Sequence, residues 1–293
     1  MPDIWGLAAI VAKLMLYIGF SGATGLVVIG VVFADLVSPI KERMRMQAVF
    51  LAGVAFAASV LGFLLRGAAL TGGADGMTDP EMLGLLWQTP VGDVLIYRVV
   101  GSALIMVGVF IPRAGQWLAC AGGALALWSF AQIGHVPGLE VVGLQFLLFL
   151  HLLGVAFWIG VLGPLRALSR QPSHLGQAAM LGHRFGQAAS IVVPALILAG
   201  VLMAWMLLGD FRALATTGYG LALLIKLTLV GLVLALAAAN KLRFVPAMRA
   251  GDEVAAGHLA RSIKVELALI LVVLIVTATL TSVLSVPVVV LQH

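Results

Sequence analysis

Eight stretches of this chain are apolar for long enough to cross a bilayer, and no other feature restricts its fold as severely. They run over roughly 5–34, 47–70, 93–111, 115–136, 141–168, 185–208, 218–243 and 264–287, where a helix needs about 20 residues to span the hydrocarbon. Hydrophobic residues fill 62% of the 293 positions and charged residues 10%, whereas a soluble domain carries about 25% charged residues. That much apolar surface cannot be hidden inside one globule of this size. A soluble enzyme, a nucleic-acid-binding domain and a disordered chain are therefore excluded. The runs are continuous, whereas barrel strands alternate at short length. The expected fold class is all-α: a polytopic integral membrane helix bundle, with 1–293 as a single transmembrane domain. Thirty-four glycines suit that fold, because small residues let helices approach closely in lipid. The lone cysteine, Cys120, excludes an intramolecular disulfide and any CxxC redox or zinc motif.

Charge sets the expected orientation. The connections after the first, third, fifth and seventh stretches hold Lys41, Arg43, Arg45, Arg113, Arg166, Arg170, Arg184, Lys241, Arg243, Arg249, Arg261 and Lys264; the other side holds only Arg66, Arg98 and Arg212. Lys and Arg collect in cytoplasmic loops, so the first set is expected inside and both termini outside, in the periplasm. The outer side also carries Asp75, Asp79, Glu81, Asp93, Glu140 and Asp210, which makes it mildly attractive to cations. The first positive residue is Lys13, so the basic start of a cleaved signal is missing and the first stretch is expected to stay as a helix. The long connection TGGADGMTDPEMLGLLWQTPVGD is broken by glycines and Pro80, and MLGLLW reads as a short interfacial segment with Trp87 as anchor.

An ionisable side chain at the bilayer centre costs about 2.5–3.5 kcal/mol on insertion scales, so polar residues inside the stretches are where function is sought. Trp128, Gln132 and His135 share one helical face at the outer end of the fourth stretch. His135 is there either as an interfacial histidine or as a metal or haem ligand. His151 lies near mid-membrane with Gly154 and Trp158 on its face, and has two ring nitrogens to satisfy away from water. It can bond across helices, bind a metal or bind haem iron. Met203 and Met206 share a face near the outer end of the sixth stretch; thioethers suit Cu(I), and they are also ordinary packing groups. Lys13, Arg98 and Lys226 place three cations in the outer half, with Asp93 the only carboxylate near that depth, so the region favours an anion over a bare cation. Toward the inner end, Glu266 stands near the height of Asn240 and Arg243, in an ion pair or a hydrogen-bonded clamp, and Thr277 and Thr281 continue its face. His174, His183 and His258 fall in inner loops or helix ends and carry no functional expectation.

The segment from His151 to Leu165, HLLGVAFWIGVLGPL, resembles the signature helix of the CopD family of copper-resistance membrane proteins, which typically reads His-Leu-Leu, then Trp-x-Gly, then Gly-x-x-Pro-Leu; here the last element stands as Gly163-Pro164-Leu165. GYGLALLIKLTLVGLVLALAAANKLRFVP is similar to the next block of that family, with its Gly, Lys and Asn-Lys/Arg. RSIKVELALILVVLIVTATLTSVLSVP is similar to its last helix, with the Arg, the Glu and a terminal Pro. Gly134–His135 and TPVGDVLIYR, ending at Arg98, extend the likeness, which covers 85–287. The resemblance implies an eight-helix protein of the bacterial inner (plasma) membrane that moves copper, often with a periplasmic copper carrier of the CopC type. No such carrier is fused within this sequence, so a separate donor is expected.

Two functions compete, beside a purely structural or assembly role that leaves the buried charges unexplained. In the first, copper, as Cu(I) rather than Cu(II), enters from the acidic outer face, meets Met203, Met206 and His135, and passes His151 into the cytoplasm. The sequence has no Walker A motif, so movement is expected to be secondary or facilitated, and no enzymatic activity is expected. In the second, the protein is a haem b-binding membrane oxidoreductase or electron-transfer protein, with inward histidines on iron and cations such as Arg98 and Lys226 near the propionates. Its difficulty is that His135 and His151 differ in depth by roughly 12 Å. The bilayer is the partner that composition demands, and nucleic acid is not expected. A reporter fused after His293 is expected to be active only where export is required; activity confined to the cytoplasm would reverse the orientation.

Overall fold

A computed structural model describes residues 4–134, 143–208 and 212–282. Among them the regular structure is all helical: α1 (Ile4–Val32), α2 (Lys41–Thr71), α3 (Pro80–Trp87), α4 (Pro90–Gly108), α5 (Gly115–Trp128), α6 (Leu144–Ser169), α7 (Leu175–Leu208), α8 (Ala213–Thr216), α9 (Gly218–Ala239), α10 (Val245–Arg249) and α11 (Glu253–Ser282). Seven helical segments among the described residues are long and apolar enough to cross a membrane. Their outward faces are apolar, as lipid requires: Phe50 is 69% and Ile191 77% exposed.

The fourth apolar stretch departs from expectation. Only 14 residues, Gly115–Trp128, are α-helical, and a 3-10 turn over Ser129–Ala131 extends them. At 1.5 and 2.0 Å per residue these make about 27 Å, just short of the roughly 30 Å hydrocarbon core. The shared face of Trp128, Gln132 and His135 presupposed α-helical spacing, which stops at Trp128; Gly134 then takes a φ of 108°. His135 itself lies outside the described residues. Elsewhere helices outrun their apolar stretches at the basic end of the bundle, with α2 starting at Lys41, α7 at Leu175 and α11 at Glu253. Hydropathy marks the depth of the bilayer, whereas backbone hydrogen bonding carries a helix on into water.

Helix α1 is the hub, packing against α2, α4, α5, α6 and α11. Glycines set its approach distances. A Cβ on Gly25 would run into the Ala156 carbonyl oxygen and the Gly160 backbone of α6, and a Cβ on Gly160 would run into the Gly25 backbone. Pro164 of α6 has no N–H for the Gly160 carbonyl, so the closest crossing coincides with a locally interrupted ladder. Helices α4 and α5 form an antiparallel hairpin in which Gly101 meets Gly122 and Ala126, and Gly108 meets Gly115 and Ala119. Polar side chains inside the helices bond back one turn: Ser102 to the Arg98 carbonyl at 2.8 Å, Ser169 to Leu165 at 2.7 Å and Thr277 to Val273 at 2.7 Å. Each hydroxyl is thereby satisfied without water.

The long connection after α2 holds the short helix α3. Its N-cap Asp79 accepts from the Glu81 and Met82 amides at 2.9 and 3.4 Å, with Pro80 at the first helical position. Trp87, half exposed, closes it and meets Phe63 edge-on. At the same end of the bundle, Lys13 Nζ donates to the Thr281 carbonyl at 2.6 Å, so the start of α1 and the end of α11 lie side by side. Replacing Gly25 or Gly160 with Leu is expected to cost at least the about 1–3 kcal/mol of an overpacked core. Lowered thermal midpoints in detergent would report it. Gly163→Leu, where a Cβ meets open space, is expected to lose nothing.

Candidate functional site

Two polar clusters and one isolated histidine lie inside the bundle. The histidine is on the face of α6 that also carries Gly154 and Trp158. Helix α7 runs antiparallel to it, with the Leu196 side chain against Gly154 and Gly200 beside the His151 ring. The ring engages the Leu196 backbone, while Nδ1 is buried with no partner. Met203 is buried and shares the α7 face of Leu196 and Gly200 at helical spacing; Met206 follows one turn on, half-buried. Lys226 of α9 is half-buried and near enough for its charge to act on the His151 ring. An imidazole nitrogen without a partner, opposite a helix face bearing thioethers, is a donor set for a soft metal ion. Among the described residues no three His, Cys, Asp or Glu side chains group as a metal site.

The first polar cluster joins Lys13 and Arg98. Tyr17 Oη lies 3.1 Å from Thr281 Oγ1, beside the Lys13 bond to the same residue. Arg98 Nε donates to Ser129 Oγ at 3.1 Å, and its guanidinium lies 4.9 Å over the Phe130 ring, which in turn packs 5.1 Å from Tyr17. Arg66 of α2 is close enough to repel both Lys13 and Arg98. The ion pairs found among the described residues are Arg45–Glu42 and Arg184–Asp35, both elsewhere, and Asp93 is exposed. Ser129 and Phe130 carry no sequence signal of this role. Only the 3-10 turn between α5 and the following segment brings them onto Arg98.

The second cluster lies toward the basic end. Glu266 of α11 is 1% exposed. Its Oε1 accepts from Trp158 Nε1 at 2.7 Å and its Oε2 from Asn240 Nδ2 at 3.0 Å. Of the two arrangements open from sequence, this is the hydrogen-bonded clamp; Arg243 is exposed and lies over Phe244. The same amide's Oδ1 is buried with no donor. The clamp borders a cavity of about 290 Å³, lined among others by Pro194, Ser190, Asn240, Lys241 and Glu266. Helices α7 and α9 barely touch, which leaves this space between them. Lys241 Nζ crosses it to Ser190 Oγ at 2.5 Å. Both flanking helices are irregular here. Pro194 leaves the Ser190 carbonyl without its helix donor, and Pro246 does the same to Leu242, where the backbone widens into a π-turn over Asn240–Phe244. Those prolines were the available sequence signal for the cavity; Trp158 as a partner of Glu266 was not legible.

Residues 178–280 match the family described as Copper resistance protein D, and residues 1–141 the family described as Copper resistance protein D-like, N-terminal domain. The chain is 28% identical over 228 residues to Copper resistance protein D of Pseudomonas syringae pv. tomato, covering 72% of this chain and 73% of that one. It is 27% identical over 218 residues to Inner membrane protein YebZ of Escherichia coli (strain K12), covering 71% and 74%. No solved structure matches it. The two family matches take in α1 to α5 and nearly all of α7 to α11. With seven apolar helices of spanning length among its described residues, the chain is a multi-pass inner-membrane protein and belongs to the copper resistance protein D family.

Proposed function

We propose that this protein carries copper across the inner membrane, from periplasm to cytoplasm, in copper homeostasis and resistance, and that it catalyses no covalent reaction. The observation that carries the reading is the buried, unpartnered Nδ1 of His151 in a chain of this family. A passing ion needs sites that bind and then release it, and one free imidazole nitrogen is such a site. Met203 and Met206 on the facing helix favour Cu(I) over Cu(II), and His135 is the further ligand assigned at the outer end. Lys226 beside the ring keeps the ion from resting there, by charge repulsion. The basic end of the bundle faces the cytoplasm. Since the start of α1 and the end of α11 meet at one end, the number of crossings is even; α5 supplies the eighth. A periplasmic copper carrier of the CopC type delivers the ion to the acidic outer end.

Copper accumulation in cells at matched expression tests this. His151→Ala is expected to abolish accumulation, at least matching the roughly 10–100-fold affinity loss seen when even an outer partner of a metal ligand is removed. His135→Ala is expected to weaken it and His174→Ala to leave it unchanged. Wild-type accumulation in His151→Ala would remove the site. A Soret band in the purified protein, lost in His151→Ala, would replace the reading with a haem b-binding oxidoreductase. Lys226→Met removes a group whose insertion costs about 2.5–3.5 kcal/mol at the membrane centre. It is expected to insert normally and lose copper transport; full transport would show that the charge is incidental.

A further inference from the structure

Glu266 is the one carboxylate buried in the described bundle: 1% exposed, bordering a cavity, and bonded only to the neutral donors Trp158 and Asn240. A buried charge is retained only where something compensates it. Trp158 and Asn240 supply dipoles, not charge. Lys241 is the one other titratable side chain lining the cavity; α6, α7 and α10 contribute none to the lining. Its ammonium is held by Ser190 Oγ. Asn240 Oδ1, on the amide already in contact with Glu266, lacks a donor. One proton on the carboxyl supplies both the missing counter-charge and a donor within the same cluster.

Position gives that proton a use. Trp158 is seven residues beyond His151 on one face of α6, about 10 Å further toward the basic end. The flanking backbone of α7 and α9 is already opened, at Pro194 and in the π-turn Asn240–Phe244. Such turns mark functional positions in many helices.

We propose that Glu266 is a proton-binding site at the basic end of the copper path, and that its proton is exchanged for the charge of the passing ion. This rests on the transport reading above. As copper arrives, Glu266 changes from carboxylic acid to carboxylate, and the proton leaves through the cavity to water at the basic end. When copper departs, a proton from that side returns. One positive charge replaces another and no electron is transferred. Acid on the basic side therefore competes with copper.

The test uses the full-length protein in two measurements. Infrared difference spectra against pH are expected to show a protonated-carboxyl band in wild type that is absent in Glu266→Gln and kept in Glu266→Asp. In proteoliposomes, copper flux is expected to fall as the basic side is acidified, by up to about tenfold per pH unit for one competing proton. Glu266→Gln is expected to carry less copper with no pH dependence, and Glu266→Asp to retain the dependence, which separates loss of the proton from misfolding. No Glu266-dependent band between about pH 4 and 9, the range that spans ordinary and strongly shifted carboxyls, would overturn the proton site. A band with pH-independent flux would overturn the exchange. A band in a wild-type protein that moves no copper would instead overturn the transport reading.

Discussion

Helix α1 crosses α6 with backbone against backbone at Gly25 and Gly160, and the rest of the bundle is arranged around that crossing. In lipid there is no hydrophobic force between helices, so close van der Waals packing must do the work. Two glycines at one level allow the axes to approach as side chains would not. The crossing places the opposite face of α6, with His151, Gly154 and Trp158, toward α7 and α11. It also leaves α1 free to take α2 on another side, where Gly19 meets Leu51 and Ala55, and the end of α11 through Lys13 and Tyr17.

The second constraint is that hydrocarbon offers no water to an unpaired polar group. Many buried groups obey it locally, as Ser59, Ser102, Ser169 and Thr277 do by bonding one turn back. Nine buried side-chain atoms among the described residues lack a partner, His151 Nδ1 and Asn240 Oδ1 among them, and Glu266 is buried with neutral partners only. His151 and Trp158, the latter bound to Glu266, stand on a single face of α6, about 10 Å apart. Unmet polar valence is costly anywhere, and more so in lipid. The α6 face shared by His151 and the Trp158 that holds Glu266 is what connects an entry ligand with an exit carboxylate in the proposed path.

Packing density differs across the molecule in the sense this requires. Helices α1, α2, α4 and α5 interlock through small residues, with Gly101 on Gly122 and Gly108 on Gly115 and Ala119. Helices α7 and α9 barely meet, and a cavity of about 290 Å³ stands between them. Prolines at 194 and 246 forfeit backbone hydrogen bonds there, which lowers the cost of rearranging α7 and the π-turn relative to the interlocked half. The cationic cluster of Lys13, Arg66 and Arg98 belongs to the interlocked half, away from the face that carries His151.

The all-helical membrane class was legible in the sequence, because apolar run length depends on composition alone and the bilayer thickness is a fixed ruler. The buried polarity of His151 and Glu266 was legible for the same reason: each sits inside an apolar run. Helix ends at the basic surface were not, since hydropathy stops at the membrane and hydrogen bonding does not. Nor was the break after Trp128, where a run that stays apolar changes from α to 3-10. What only the tertiary structure decided is who meets whom. Trp158 and Glu266 are 108 residues apart, and Lys13 and Thr281 are 268 apart. Such pairings follow from how close two backbones can come, which depends on the glycines of both helices at once and so cannot be read from either stretch alone.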